Sequence, residues 1–427
     1  MVSKLQLRYM AEYLLATQNE IAVDINLYTL CGVKPCEFGY APRPSRLLRF
    51  SAKKALLRHC VSGFRFFWGK GGAWLFFCLE WFRFSLMLRK ADAVHLDVGQ
   101  EFALGFSSRA MDLINPKSVG KELCWITFPW VPARLEGKKS FSFLSLLTPK
   151  DLLTALLLST KSVRKLSVRS RTTDWSLQGY TAYRWFAVRL ALEKLRARRL
   201  YTADHYDRWA LLADGVMSSR NKVSTGIESV CGLVVLQHGL LASLDGGDIS
   251  QELPFKLASK LRSVTQLYVF DNDARNIFKS SILSPLSPLK DKCIKLYQPL
   301  IDIVQVDGAR KVNVLFVGHP FCEELHINIY KAVTACFDVG FYYKPHPANP
   351  CSDQVREQDW RIVEDKSIFP SVDFVISYPS TLVGEYAAVG ISAVVHPLNQ
   401  KNEQYNILTS TIKDKLESLA CEKKITQ

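Results

Sequence analysis

The pattern that organises this chain is a short β-branched apolar run that stops at a polar or charged residue and gives way to apolar positions at helical spacing. KVNVLFV at 311–317 ends at Gly318-His319-Pro320, and residues 324–337 then space their apolar side chains as a helix does. Strand, loop and helix together make the βα unit. The unit recurs in GFYYK (340–344), in WRIVE (360–364), in DFVIS (373–377) with helical spacing from about 380 to 389, and in SAVVHP (392–397). This alternation predicts a small parallel sheet flanked by helices. Upstream, RRLYTAD (198–204), GLVVLQHG (232–239) and SVTQLYVFDND (263–273) each close an apolar run on polar or charged residues. Helical stretches between them predict a second α/β region. Residues 1–150 resist this parsing.

A chain of 427 residues exceeds one ordinary domain and supports two, each with its own core. The expected division is an N-terminal lobe over 1–299 and a C-terminal lobe over 311–427, joined by a linker at 298–310. No internal repeat or low-complexity tract is visible.

Charge adds a partner. The formal net charge is +15 with 48% apolar residues, which describes a globular chain with a basic surface rather than a disordered one. Segment 43–90 carries eleven Lys and Arg against one acid, Glu80, and is rich in Phe and Trp. Basic plus aromatic character suits a membrane surface or a nucleic acid, or else a core face backed by a solvated one. No nucleic-acid-binding motif accompanies it, so an anionic membrane surface is the expected partner and nucleic acid is not. Segments 161–171 and 188–200, the latter read as a helix, extend the positive field. No apolar run reaches the roughly 18–20 residues of a membrane-spanning helix. The odd count of 11 cysteines, with no C-x-x-C pair, indicates a reducing compartment. The N-terminus lacks a secretory pattern, so the mature chain is expected to start here, cytoplasmic and peripheral on the inner face of the cytoplasmic membrane.

Candidate chemistry collects at strand ends. Ligands of open parallel sheets bind at the carboxyl ends of strands, where loops feed helix N-termini. KPHP, which contains Lys344, His346 and Pro347, follows one such strand. Ser380 and Thr381 follow another, at the expected start of a helix. Helix N-H groups and two hydroxyls suit a phosphate; the same residues suit an ordinary N-cap.

KPHP followed by the DFVIS strand and a Ser/Thr helix start resembles the HP and serine motifs of bacterial sialyltransferases and polysialyltransferases. Those enzymes are α/β proteins of the GT-B class, two Rossmann-like lobes facing across a cleft. Similar arrangements occur in capsule Kdo transferases and in CDP-polyol phosphotransferases of teichoic-acid type. The resemblance covers about residues 200–397. It implies an inverting, metal-independent transfer of an acidic sugar from a CMP-activated donor to a glycan or lipid-linked glycan acceptor, with no cofactor, in capsule or lipopolysaccharide assembly. His346 would neutralise or protonate the leaving phosphate while Ser380, Thr381 and the helix end hold its other oxygens. Lys344 would add a point charge, Pro345 and Pro347 would stiffen the loop, and Glu385 would reach the ribose hydroxyls.

The acceptor base is expected after GLVVLQHG. Sialyltransferase relatives carry an acidic pair before glycine here, and teichoic-acid-type relatives a histidine. This chain has Gln237-His238-Gly239, so His238 is the leading base, with Asp245, Asp248 or Asp204 orienting it or replacing it. Asp271-Asn272-Asp273 matches the D-x-D spacing of metal-dependent glycosyltransferases, yet opens an expected helix where Asp is a favoured cap; no metal site is assigned. His319-Pro320 duplicates the HP dipeptide without a matching serine partner and is left as a loop facing the cleft. His396-Pro397 is read as a strand exit. Two alternatives stand beside this reading: a CDP-polyol phosphotransferase, and a noncatalytic nucleotide- or sugar-binding protein at the membrane.

Overall fold

A computed structural model describes residues 3–48, 50, 53–92, 94, 99–114, 119–132, 135, 137–168, 174–221, 231–241, 243–244, 252–297, 301–305, 312–347, 349–366, 368–399 and 402–425. The chain forms two compact units. The first comprises Met1–Pro44, Ala52–His238 and Gln251–Tyr297; the second comprises Ser45–Ser51, Gly239–Ser250 and Gln298–Gln427.

The first unit is built on seven parallel strands: β1 (Glu101–Leu104), β2 (Cys124–Thr127), β3 (Ser140–Ser142), β4 (Arg199–Thr202), β5 (Gly232–Leu236), β6 (Val264–Val269) and β7 (Ile294–Leu296). Their spatial order is β3-β2-β1-β4-β5-β6-β7. The chain therefore starts in the middle of the sheet, winds to one edge, and returns to wind to the other. Ala103 of β1 is in register with Trp125 of β2 on one side and Tyr201 of β4 on the other. All five residues of β5 are buried, the continuous apolar run expected of a strand covered on both faces.

In the second unit, β8 (Ile303–Val304) pairs with β12 (Phe369–Pro370) as a small side ribbon. The main sheet uses β9 (Asn313–Val317), β10 (Gly340–Lys344), β11 (Arg361–Ile362), β13 (Phe374–Ser377) and β14 (Ser392–Val395) in the order β11-β10-β9-β13-β14, all parallel. Its core packs Val314, Phe316, Tyr343, Trp360, Phe374 and Ile376 against apolar positions of the helices Glu323–Thr334 and Asn402–Ile425. Both units share one logic, a central first strand and a reversal of strand order beside it, which makes each Rossmann-like. The expected α/β class is borne out.

The expected helix over 188–200 is corrected. The helix spans Ala182–Lys194, and Arg199–Thr202 is β4. Nor is that helix a source of surface charge throughout: Arg189 is fully buried and ion-paired with Glu12 at 3.2 Å and with Glu193. Burying a guanidinium requires that compensation. Segment 43–90, which the apolar pattern left unassigned, is mostly two helices, Lys54–Phe67 and Ala73–Leu88, joined through residues 68–72. Glu80, the acid that interrupts its apolar run, is buried and accepts from Nε and Nη2 of Arg184, at 2.6 and 3.1 Å.

Candidate functional site

In the second unit the reversal of strand order lies between β9 and β13, with β10 on the other side of β9. The three loops leaving these neighbouring strands carry Gly318-His319-Pro320, Pro345-His346-Pro347 and Tyr378-Pro379-Ser380. His319 joins them. Its ring lies 5.3 Å from that of His346 and 5.2 Å from that of Tyr378, centroid to centroid. The backbone at Gly318 passes so close to Tyr343 that a Cβ there would sit 2.4 Å from the phenol oxygen, so only glycine allows this turn. The HP dipeptide at 319–320, which the sequence left without a partner, is thus the centre of the constellation.

The two histidines are held neutral. Burial, and then the neighbouring His346, push His319 down to about 3. Burial first and Lys366 second lower His346. The side-chain amide nitrogen of Asn349 lies 3.3 Å from Nδ1 of His346, and Asn349 is itself buried. An amide N–H directed at Nδ1 favours the tautomer with the proton on Nε2, which makes Nε2–H a donor. Ser380 precedes the helix Thr381–Ala388, but its hydroxyl makes no capping bond to the first turn; it lies 3.1 Å from Oγ of Ser377, which donates to the carbonyl of Tyr378. The ordinary N-cap reading of Ser380 therefore fails. Thr381 is the first residue of that helix, Glu385 is buried one turn in, and Pro347 is exposed in its turn.

Lys344 has a structural use that the sequence did not show. It is buried and donates to the carbonyls of Asp365 and Ile368 at 2.8 and 2.7 Å. Burial lowers its pKa to about 8. It ties β10 to the loop before β12.

Behind this end of the sheet sit Cys322, His326 and His396, all buried, with potential ligand atoms within 4.8 Å of one another. The imidazoles already satisfy each other: Nε2 of His326 and Nε2 of His396 are 2.9 Å apart, and Nδ1 of His396 is 2.8 Å from the carbonyl of Pro397. The Cys322 thiol donates to the carbonyl of His319 at 3.3 Å. These contacts tie the His319 turn to the helix Glu323–Thr334 and to the exit of β14, and His396 is part of them rather than a bare strand exit.

In the first unit the reversal lies between β1 and β4, and the same carboxyl edge carries a cavity of about 510 Å³. Its aromatic side is Phe106, Trp130 and Trp209, with Trp209 stacked on Phe106 at 4.8 Å and on Trp130 at 5.7 Å. The same cavity is lined by Tyr180, the acids Glu20, Asp24 and Asp207, and the guanidinium groups of Arg43, Arg184 and Arg208, with Arg184 over the Trp130 ring at 5.3 Å. Arg43 takes a left-handed backbone, φ 60°, between two prolines and stacks over Tyr180 at 5.6 Å. A non-glycine residue held there costs of order 1–3 kcal/mol, a cost met with at ligand sites. Burial raises Asp24 to about 7.

The loop after β4, Ala203-Asp204-His205-Tyr206-Asp207, carries a run of titratable side chains. Asp207 caps the helix Arg208–Asn221 through the N–H groups of Trp209 and Ala210, at 2.7 and 3.0 Å. Burial, then the adjacent Asp204, push it well above the carboxylate range, while burial sets Asp204 at about 6. His238, after β5, places Nδ1 against the carbonyl of Ala203 and 3.2 Å from Nε2 of His205. The contact with a carbonyl puts the proton on Nδ1 and makes Nε2 the basic nitrogen. Among the described residues, a carbonyl and a histidine orient His238, and no contact with the carboxylate of Asp204 is seen. Asp245 and Asp248 lie outside the described residues. Asp271 accepts from the N–H of Ala274 at 2.7 Å, the cap its position suggested. His205, Asp207 and the cavity were not singled out from sequence; the only signal for them was the run of titratable residues D-H-Y-D at a strand exit.

No protein-family model matches the sequence, and no curated protein matches it. Among solved structures the chain is similar to MurG of Acinetobacter baumannii, at 11% identity and a TM-score of 0.31, over 73% of this chain and 82% of that one. At that level the fold assignment rests on the two strand orders.

Proposed function

We propose that this protein is a glycosyltransferase of the GT-B class that uses a nucleotide-activated sugar. The observation that carries the reading is the convergence of His319, His346 and Tyr378 beside the uncapped helix start at Ser380, on the carboxyl edge where the second sheet reverses its strand order. Neutral imidazole N–H groups, a helix end and hydroxyls are what a leaving nucleotide phosphate needs as charge grows on it. In an inverting transfer the acceptor oxygen attacks the anomeric carbon, the bond from that carbon to the phosphate oxygen breaks, and the bonding pair leaves on the phosphate. The acceptor proton goes to Nε2 of His238 or to Asp207. The cavity of the first unit, with indole faces for sugar C–H groups and acids and guanidinium groups for hydroxyls, suits the acceptor glycan.

The finer reading follows the HP and serine motifs: a CMP-linked acidic sugar, sialic or another nonulosonic acid or Kdo, transferred in surface polysaccharide assembly. Gln237-His238-Gly239 favours a second reading, transfer of a polyol phosphate from a CDP donor, because a histidine stands where sialyltransferase relatives carry acids. Thermal stabilisation by CMP, CDP and UDP separates the two: selective protection by CMP supports the first, by CDP the second, and by none a noncatalytic role. Mass spectrometry of products from a panel of activated donors then identifies the transferred group.

A further inference from the structure

We propose that the helices Lys54–Phe67 and Ala73–Leu88 form a surface on which this protein lies against an anionic phospholipid bilayer. The first of them buries none of its residues. It presents Leu56, Phe64, Phe66 and Phe67 to solvent, with Phe66 66% exposed. The second turns Ala73, Phe77, Glu80 and Phe84 inward and leaves Trp74, Leu75, Leu79, Phe82 and Leu86 outside, with Leu79 69% exposed. The sequence admitted a core role or a surface role for these aromatics. The structure divides them between the two.

The join is built to hold the helices in place. Trp68 is buried and its indole N–H donates to the carbonyl of Ser176 at 2.8 Å. Gly71, at φ 149°, takes a backbone conformation that side chains disfavour, and this puts the bend between the helices. The helix Pro149–Val168, which packs against Ala73–Leu88, exposes Leu153 and Leu157 and then Lys161 and Arg164.

Charge decides the occupant. Over 53–90 the one acid is Glu80, and it is buried against Arg184. The exposed cations Lys53, Arg58, Lys70, Arg83, Arg89 and Lys90 are interleaved with the apolar side chains. A second copy of the same face would set cation against cation. A nucleic acid would use the cations and the rings but would leave Leu56, Leu75, Leu79 and Leu86 in water. An anionic bilayer takes all three: cations at the headgroups, aromatics at the interface and aliphatic side chains at the acyl boundary. Among the described residues no helix is long and apolar enough to cross a membrane, so the surface is expected to lie in the interface plane.

The experiment is sedimentation of the full chain with vesicles of phosphatidylcholine alone or mixed with phosphatidylglycerol, at low and high salt. Binding is expected to the mixed vesicles, weakening with salt, with brominated lipid quenching tryptophan emission and Trp74→Phe reducing that quenching. Arg58→Gln, Lys70→Gln and Arg83→Gln should each weaken binding about five-fold. A combined Phe66→Ser and Leu79→Ser variant changes only exposed side chains, should keep the wild-type Tm, and should lose most of the binding. Equal binding to neutral and anionic vesicles overturns the proposal. So does RNA binding without vesicle binding, or a concentration-dependent dimer that the Phe66→Ser and Leu79→Ser changes abolish.

Discussion

The main-chain N–H of His238 donates to Nε2 of His205 at 2.8 Å, while the imidazole of His238 rests against the carbonyl of Ala203. His205 is buried, and burial followed by the neighbouring His238 pushes its pKa well below the usual histidine value. It is a fixed neutral acceptor. Two adjacent strands, β4 and β5, thereby lock one imidazole in one tautomer.

If that imidazole is the acceptor base, His238→Ala and His238→Asn should lose roughly 100- to 10,000-fold in turnover while donor nucleotide still binds. Asparagine keeps hydrogen bonding but cannot take the proton. Asp207→Asn and Asp245→Asn should lose less. Steady-state kinetics with a paired nucleotide titration checks this. A dead Asp207→Asn beside an active His238→Asn moves the role to the carboxylate.

His346 is proposed to act on charge that develops as the donor breaks. His346→Ala should therefore reduce kcat by roughly 10- to 1000-fold with a smaller change in donor KM. Because its pKa is lowered in the ligand-free protein, a bound phosphate, which favours the protonated form, raises it. Nucleotide binding should then take up protons, and affinity should rise as pH falls between the bound and free values. Calorimetry in buffers of different ionisation enthalpy reads this directly. No uptake in wild type, or uptake undiminished in His346→Ala, contradicts the assignment.

Asp24 offers a test of the cavity that does not depend on activity. Its carboxyl is raised by burial to about 7, so its protonated form, which folding favours, is present at low pH and lost as pH rises through that value. The stability it contributes is lost as pH rises from the ordinary carboxyl value of 3.8 to about 7 and changes no further above that. Asp24→Asn keeps an acceptor for the Gln178 amide, now 2.8 Å from the carboxylate, but cannot ionise. Its Tm relative to wild type should rise between pH 5 and pH 8. A difference independent of pH would mean that Asp24 is ionised throughout.

Activity should survive EDTA. The D-x-D match at Asp271 and Asp273 is a helix cap, and the Cys322, His326 and His396 cluster is internally hydrogen-bonded. Complete loss restored by manganese or magnesium would reinstate a metal.

What the sequence determined by itself is the succession of βα units. Strand exits at Val317, Lys344 and Ser377, the helix start at Thr381 and the strand at Ser392–Val395 all fall where apolar period and loop chemistry place them. These are local signals, set by φ/ψ preference and by which face of a few consecutive residues is apolar. The helix read through Leu200 failed because alternating Arg and Leu suits either period, and pairing with β1 and β5 makes Arg199–Thr202 a strand. Only the tertiary structure decided which side chains meet. Strand order places β9 between β10 and β13 and so makes His319 the centre of its site. It also spends the Lys344 ammonium on two carbonyls, brings His205 to His238 across β4 and β5, and gathers Trp130, Tyr180, Trp209 and Asp24 around one cavity. Burial completed the sorting, since Phe77 goes inside while Phe66 and Phe82, the same residue type to a reader of the sequence, stay exposed, and the charged Glu80 is buried beside an exposed Leu79. Periodicity encodes which face of an element is apolar; it does not encode which element that face will meet.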